Sequence, residues 1–113
     1  MKTAELYFLY GRKKMYVLPA QIIRLEGRSN YTCVYFTDHA PILMAKVLHL
    51  YDEILRPHGF IRTHRSHLVN AQHIQNIESK TSLQMMDASR VGISRSKKRE
   101  VLAQCIQLSI TKS

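Results

Sequence analysis

Apolar and polar positions alternate with a period of two along much of the chain, as expected of extended backbone that sends successive side chains to opposite faces. Glu5–Tyr10 and Met15–Leu18 read as strands joined by the basic turn Gly11–Lys14, a hairpin. Pro19 and Ala20 interrupt the pattern, Ile22–Glu26 resumes it, and Gly27–Asn30 is a loop by composition. The β-rich run Tyr31–Thr37 follows, and Asp38 and His39 turn the chain toward Pro41–Ala45. Phe60–His64 is a further strand, with Phe60, Arg62 and His64 on one side and Ile61 and Thr63 on the other, so its two faces need different surroundings. Arg65, Ser66 and His67 form a polar turn, after which Leu68 and Val69 re-enter the core; Ser66 is placed to cap a single helical turn over Leu68. His73–Glu78 and Ser82–Asp87 are strands around the turn Ser79–Thr81.

Two stretches carry the helical period instead. In Lys46–Arg56, the apolar positions Val47, Leu48, Tyr51, Ile54 and Leu55 mark one face of an amphipathic helix that Pro57 and Gly59 end. It reads as a packing helix without chemistry. Arg90–Ile93 leads into a last helix near Lys97–Leu108, whose expected buried face is Val101, Leu102, Cys105, Ile106 and Leu108. The expected fold is mainly β, an elongated arrangement of small antiparallel sheets with one or two packing helices. Residues 1–113 form one domain in this reading, with no repeat or linker.

Composition narrows the class. A chain of 113 residues with 45% hydrophobic and 22% charged residues can bury one core. No apolar run reaches the roughly 20 residues that span a bilayer, and the N-terminal stretch lacks the cleavage site of a signal peptide. Cys33 and Cys105 sit far apart among apolar neighbours, which suits free thiols in a reducing cytoplasm. The net charge of +9 attracts polyanions, but does not by itself separate DNA from RNA or an anionic membrane. The placement of the charge must do so.

The start of the last helix is the sharpest local anomaly. Ser94 or Ser96 can cap it, yet Arg95, Lys97, Lys98 and Arg99 crowd the end where free N–H groups are already positive. A sequence written for stability alone would favour Asp or Glu there. Cations at this end build an anion site, with phosphate the obvious occupant, although a solvated charge run would look similar. His64, His67 and His73 invite a metal reading, but no CxxC or HExxH spacing accompanies them, and neither a metal nor a cofactor is expected. No motif proposes a nucleophile, so an enzyme is not expected.

Four pieces, IIRLEGRSNY from Ile22, FIRTHRSHLVN from Phe60, HIQNIE from His73 and VGISRSKKR from Val91, occur in the order and approximate spacing of the LytTR-type DNA-binding domains of bacterial response regulators. The chain resembles that family over about Pro19 to Gln107. The resemblance implies a transcription regulator whose loops, here Gly27–Tyr31, Arg65–Ser66 and Arg95–Lys97, enter successive grooves of double-stranded DNA. Arg65 and Arg95 align with positions the family uses for base or backbone contact, and a guanidinium can grip O6 and N7 of guanine with two bonds. The first-loop contact falls on Asn30, Tyr31 or Thr32, with Asn30, able to pair with adenine, preferred. Arg28, Ser66, Lys97 and Lys98 suit phosphate contacts that position the protein without reading sequence. For Arg65 a surface ion pair, and for Asn30 an ordinary turn role, are the plain alternatives.

The resemblance also implies two copies on direct repeats, a homodimer on DNA, and DNA bending. Family members often carry a receiver domain before this module, whereas only about eighteen residues precede the resemblance here. Control by a sensor or other partner protein is therefore open. Two rival readings remain: an RNA-binding β module in which Tyr31 and Tyr35 stack bases, and a protein-interaction domain that titrates another regulator.

Overall fold

The hairpin at the start of the chain is tighter than its composition suggests. In the computed structural model, which describes residues 6–110, β1 (Leu6–Tyr10) pairs with β2 (Lys13–Val17) as far as Tyr10 opposite Lys13. Only Gly11 and Arg12 are left to turn, and Gly11 supplies the left-handed φ of 65° that the turn requires. Glu5, where the sequence reading began this strand, lies outside the described residues.

Five strands form the main sheet: β3 (Ile22–Arg28), β4 (Tyr31–Phe36), β5 (Ile42–Met44), β6 (Phe60–His64) and β7 (His67–Asn70). All pairings are antiparallel, in the spatial order β5-β4-β3-β7-β6. A second sheet is made of β8 (Ile74–Ser79), β9 (Ser82–Met85) and β10 (Arg90–Gly92). The helices are α1 (Leu48–Leu55) and α2 (Lys98–Ile110). Among the described residues no helix is long and apolar enough to cross a membrane.

The main sheet separates two cores. On one face Leu25, Val34, Met44, Phe60 and Leu68 pack with Phe8 and Val17 of the hairpin and with Leu48, Tyr51 and Leu55 of α1. On the other, Ile23, Ile61 and Val69 meet Leu83, Met85 and Val91 of the second sheet and Val101 and Cys105 of α2. Phe60 and Ile61 thus enter different cores from adjacent positions, as the alternation in β6 requires. In β3 an irregularity between Ile22 and Arg24 shifts the phase, so Ile22 and Leu25 share a face while Ile23 faces the opposite core. Cys33 and Cys105 are free and buried, and burial pushes the Cys105 thiol up to about 11.

Several local expectations yield to tertiary pairing. Leu68 lies in β7 and no helical turn forms over it, because His67 is drawn into the ladder opposite Glu26. Ser66 caps nothing; its N–H donates to His64 Nδ1 at 3.1 Å. His73 belongs to a 3-10 turn, Ala71–His73, and the strand starts at Ile74. Val47 is exposed just before α1. In α2 the buried line runs through Val101 and Cys105, with Leu102 and Leu108 half-buried; Ile106, one helical step beyond Cys105, is turned to solvent.

Two consequences can be measured. Ala88 turns the chain between β9 and β10 at φ 74°, a left-handed conformation that costs an L side chain about 1 kcal/mol. Ala88→Gly is expected to raise stability in urea unfolding by about that amount. His67 is half-buried with Nδ1 unbonded; burial, against the pull of Glu26 and with help from His64 and Arg24, lowers its pKa below the ordinary histidine value. The unfolded chain therefore takes up this proton first, and stability present above about pH 6.5 is lost as pH falls. Unfolding curves at pH 7.5 and 5.5 should differ less in His67→Gln than in the unmodified chain.

Candidate nucleic-acid interface

The antiparallel pairing of β3 with β7 determines where the cationic loops lie. The turn after β3 and the turn before β7 fall at the same end of the sheet, since Glu26 stands opposite His67. The Gly27 N–H donates to Ser66 O at 2.9 Å and ties the two turns together. A side chain at residue 27 would bring Cβ within 3.3 Å of Leu48 Cβ, so glycine is what lets β3 pass this close to α1. The third segment joins through the Ser94 N–H, which donates to Thr63 O at 2.8 Å, two positions before Arg65. All three regions singled out by the sequence therefore meet at one end of the main sheet.

Ser29 and Asn30 form the first turn, with Ser29 at φ 57°, and Asn30 and Tyr31 are exposed. Thr32 is fully buried and donates to Lys46 O at 2.7 Å, which removes it from the first-loop candidates. Arg28 is exposed but partnered: it lies 3.5 Å from Glu26 and donates to the Tyr35 hydroxyl at 3.2 Å. Arg65 is exposed and Ser66 half-buried in the turn between β6 and β7. Arg95 and Ser96 are exposed in the 3-10 turn Arg95–Lys97 that precedes α2, Lys97 is half-buried, and Lys98 and Arg99 are exposed in the first turn of α2. The helix start is thus cationic as read, but neither serine caps it: Ser94 Oγ and Ser96 Oγ bond each other at 3.1 Å.

Sequence reasoning missed the group that holds Arg65. Arg62 donates from Nε to His64 O at 2.9 Å and from Nη2 to Arg65 O at 2.6 Å, so its guanidinium clasps the backbone of the turn. Its Nη1 reaches Asp52 Oδ2 at 3.2 Å. Asp52, on α1, is only 4% exposed and also receives two hydrogen bonds from Arg56, at 3.2 and 2.8 Å. Burial alone would push its carboxyl up, but hydrogen bonds and charge from Arg56 and then Arg62 outweigh this and hold it below the ordinary carboxylate value. In the sequence Arg62 is merely the polar member of an alternating strand, and Asp52 reads as part of a solvated helix face.

Between these elements lies an open cleft of about 260 Å³, bordered by Ser29, Leu48, His49, Arg65 and Ser66. The beginning of α1 contributes to this cleft, adding the partial positive charge of free backbone N–H groups to that of Arg65. No group of three or more His, Cys, Asp or Glu side chains converges among the described residues. His64 and His67 rings are 5.5 Å apart, whereas His73 Nε2 is bonded to Ala20 O at 2.8 Å. Tyr35 does not offer an open stacking face alongside Tyr31, because the Arg24 guanidinium lies 3.8 Å from its ring centroid.

Comparison with known proteins places this geometry. No curated protein matches the chain. Among solved structures, the LytTr DNA-binding domain of a protein named as a methyl-accepting/DNA response regulator from Bacillus cereus shares the fold, with a TM-score of 0.70 and 21% identity. That match covers 93% of this chain and 98% of the other. The sequence profile described as the LytTr DNA-binding domain matches residues 12–105, a span that includes all three cationic segments and the Asp52–Arg62 pair. The chain therefore belongs to the LytTr DNA-binding domain family.

Proposed function

We propose that this DNA-binding domain is a sequence-specific regulator that reads adjacent grooves through three loops, with two copies bound to direct repeats. The observation that carries the reading is the convergence of the three cationic segments, linked by the Gly27–Ser66 and Ser94–Thr63 hydrogen bonds, at one end of the main sheet. Arg65 and Arg95 are the readers, since both are exposed, neither has an acidic partner within 4 Å among the described residues, and each stands on a backbone fixed by its neighbours. Asn30 or Tyr31 supplies the contact from the first turn. Lys98 and Arg28 neutralise phosphates, as does Lys97 from its half-buried position, while the Ser66 hydroxyl donates a hydrogen bond to one, and these contacts set register without reading bases. Arg28 must exchange its bond to Tyr35 for one to phosphate.

Selection from a randomised duplex pool at physiological salt is expected to enrich a repeated motif with the intact chain. The Arg65→Ala, Arg95→Ala double variant should enrich none and keep a weak, salt-sensitive affinity from the remaining cations. Enrichment of the same motif by the double variant would remove both arginines from the reading role. Enrichment by neither protein would defeat the sequence-specific reading.

The clasp makes a second prediction. Arg62→Lys keeps the charge beside Asp52 but has no planar fork for the two turn carbonyls. Affinity for the selected motif should fall about tenfold, a loss of about 1.4 kcal/mol, while affinity for a scrambled duplex stays the same. Fluorescence anisotropy on the two duplexes separates this from general destabilisation, which would weaken both.

A further inference from the structure

Ser66 is held from two directions: its carbonyl accepts from the Gly27 N–H, and its own N–H donates to His64 Nδ1 at 3.1 Å. A backbone N–H can only donate. The half-buried His64 ring must therefore present Nδ1 as a lone pair and keep the proton of its neutral form on Nε2. An imidazolium carries hydrogen on both nitrogens, so a proton taken from solvent onto Nδ1 would set two donors against each other. The ring cannot be charged and hold the turn at once. Arg62 takes His64 O and Arg65 O, and His64 Nδ1 takes the Ser66 N–H; only the second kind of bond is undone by a proton. An irregularity in the ladder after Arg62 sets His64 opposite His67, with the rings 5.5 Å apart. From β3, Glu26 and Arg24 act on His67, and Glu26 is itself paired with Arg24 and Arg28. From α1, Asp52 is taken up by Arg56 and Arg62, and His49 borders the cleft beside Ser66. Arg95 follows Ser94, whose N–H reaches Thr63 O. Both of these carboxylates are already matched by arginines, so neither is spare to hold a His64 cation in place of the lost bond.

We propose that His64 is a positioning residue: its unprotonated Nδ1 fixes the Ser66 amide and with it the direction of Arg65, and preference for the DNA motif is lost when the ring takes up a proton. This rests on the reading in which Arg65 contacts bases. The expected sign is opposite to that of bulk electrostatics, since added positive charge by itself strengthens binding to any duplex.

The test is fluorescence anisotropy of the full chain on the selected motif and on a scrambled duplex at constant ionic strength, from about pH 8 to about pH 5.5, where histidines ordinarily titrate. NMR of the free protein follows the His64 ring and the Ser66 amide over the same range. Preference for the motif should fall about tenfold on acidification, the scale of one hydrogen bond whose donor is left unmet, and ring and amide should shift together. Asparagine accepts from the N–H two residues on through its side-chain oxygen and takes up no proton. His64→Asn should therefore keep the preference across the whole range, whereas His64→Leu should lack it throughout. His67, Glu26 and Arg24 are unchanged in His64→Asn, so a pH dependence arising from them would persist there. Thermal melts at both ends of the range check folding, and if His64→Leu does not fold, the intact chain against His64→Asn decides alone. The proposal is overturned by a preference that stays level or rises as the intact chain is acidified, by the same fall in His64→Asn, or by a Ser66 amide indifferent to the ring. Absence of any preference at the alkaline end defeats the loop reading itself and this inference with it, a result distinct from a preference that is present there and that acid leaves unchanged.

Discussion

The buried carboxylate of Asp52 is the constraint on which the cationic end of the molecule depends. A charge so nearly removed from water costs several kcal/mol unless it is paired and hydrogen-bonded, and Asp52 is supplied by Arg56 from its own helix and by Arg62 from β6. Arg62 in turn spends its remaining donors on His64 O and Arg65 O. Arg65 O belongs to the two-residue turn, where a carbonyl lacks a ladder partner, and His64 O to the strand end that pairs with His67. Helix, strand and turn are therefore linked through one guanidinium, and movement of the Arg65 backbone would break its hydrogen bond from Arg62 Nη2. The interaction provides less net stability than it provides position, as is usual for buried ion pairs.

The same unit explains which parts of the site were legible in the sequence. The alternation of Phe60–His64 identified a strand with two different faces, and Phe60 and Ile61 do enter separate cores. The cationic segments could be read because Arg65 lies in a polar turn that interrupts the strand pattern, while Arg95 and its neighbours crowd the positive end of the last helix, where local stability would place acids. Arg62 and Asp52 could not, since each fits its local pattern and they meet only through the packing of α1 against β6. Ser66 shows the converse failure: its capping chemistry was a sound local inference, but the pairing of Glu26 with His67 extends β7 to the turn and leaves no helix to cap. Thr32 looked like a loop donor one residue from Tyr31, yet strand alternation turns it inward to Lys46 O.

Presenting arginines on hairpin turns has a physical advantage over presenting them on free loops. Turns of two residues, Ser29–Asn30 and Arg65–Ser66, have little backbone entropy to lose when DNA binds, and the bond from Gly27 to Ser66 fixes their separation. Rigid spacing is what a duplex demands, since its grooves recur at fixed intervals. The third segment is held differently. Ile93 donates to Thr81 O in the turn between β8 and β9 and Ser94 to Thr63 O in β6, so Arg95 projects from the junction of the two sheets.

That junction carries an electrostatic cost that DNA would relieve. Lys98 and Arg99 occupy the first turn of α2, where backbone N–H groups already concentrate positive charge, and Glu100 is the one acid within that turn. Each misplaced cation costs a few tenths of a kcal/mol to about 1 kcal/mol in the free protein. A phosphate at this helix end would bond the free N–H groups and neutralise the cations together, turning a destabilising arrangement into a favourable one only in the complex. In the interface proposed above, Arg65, placed by Asp52 and Arg62, and the start of α2, left strained by its own charge, would contribute by opposite means: the first by being positioned before DNA arrives, the second by gaining most when it does.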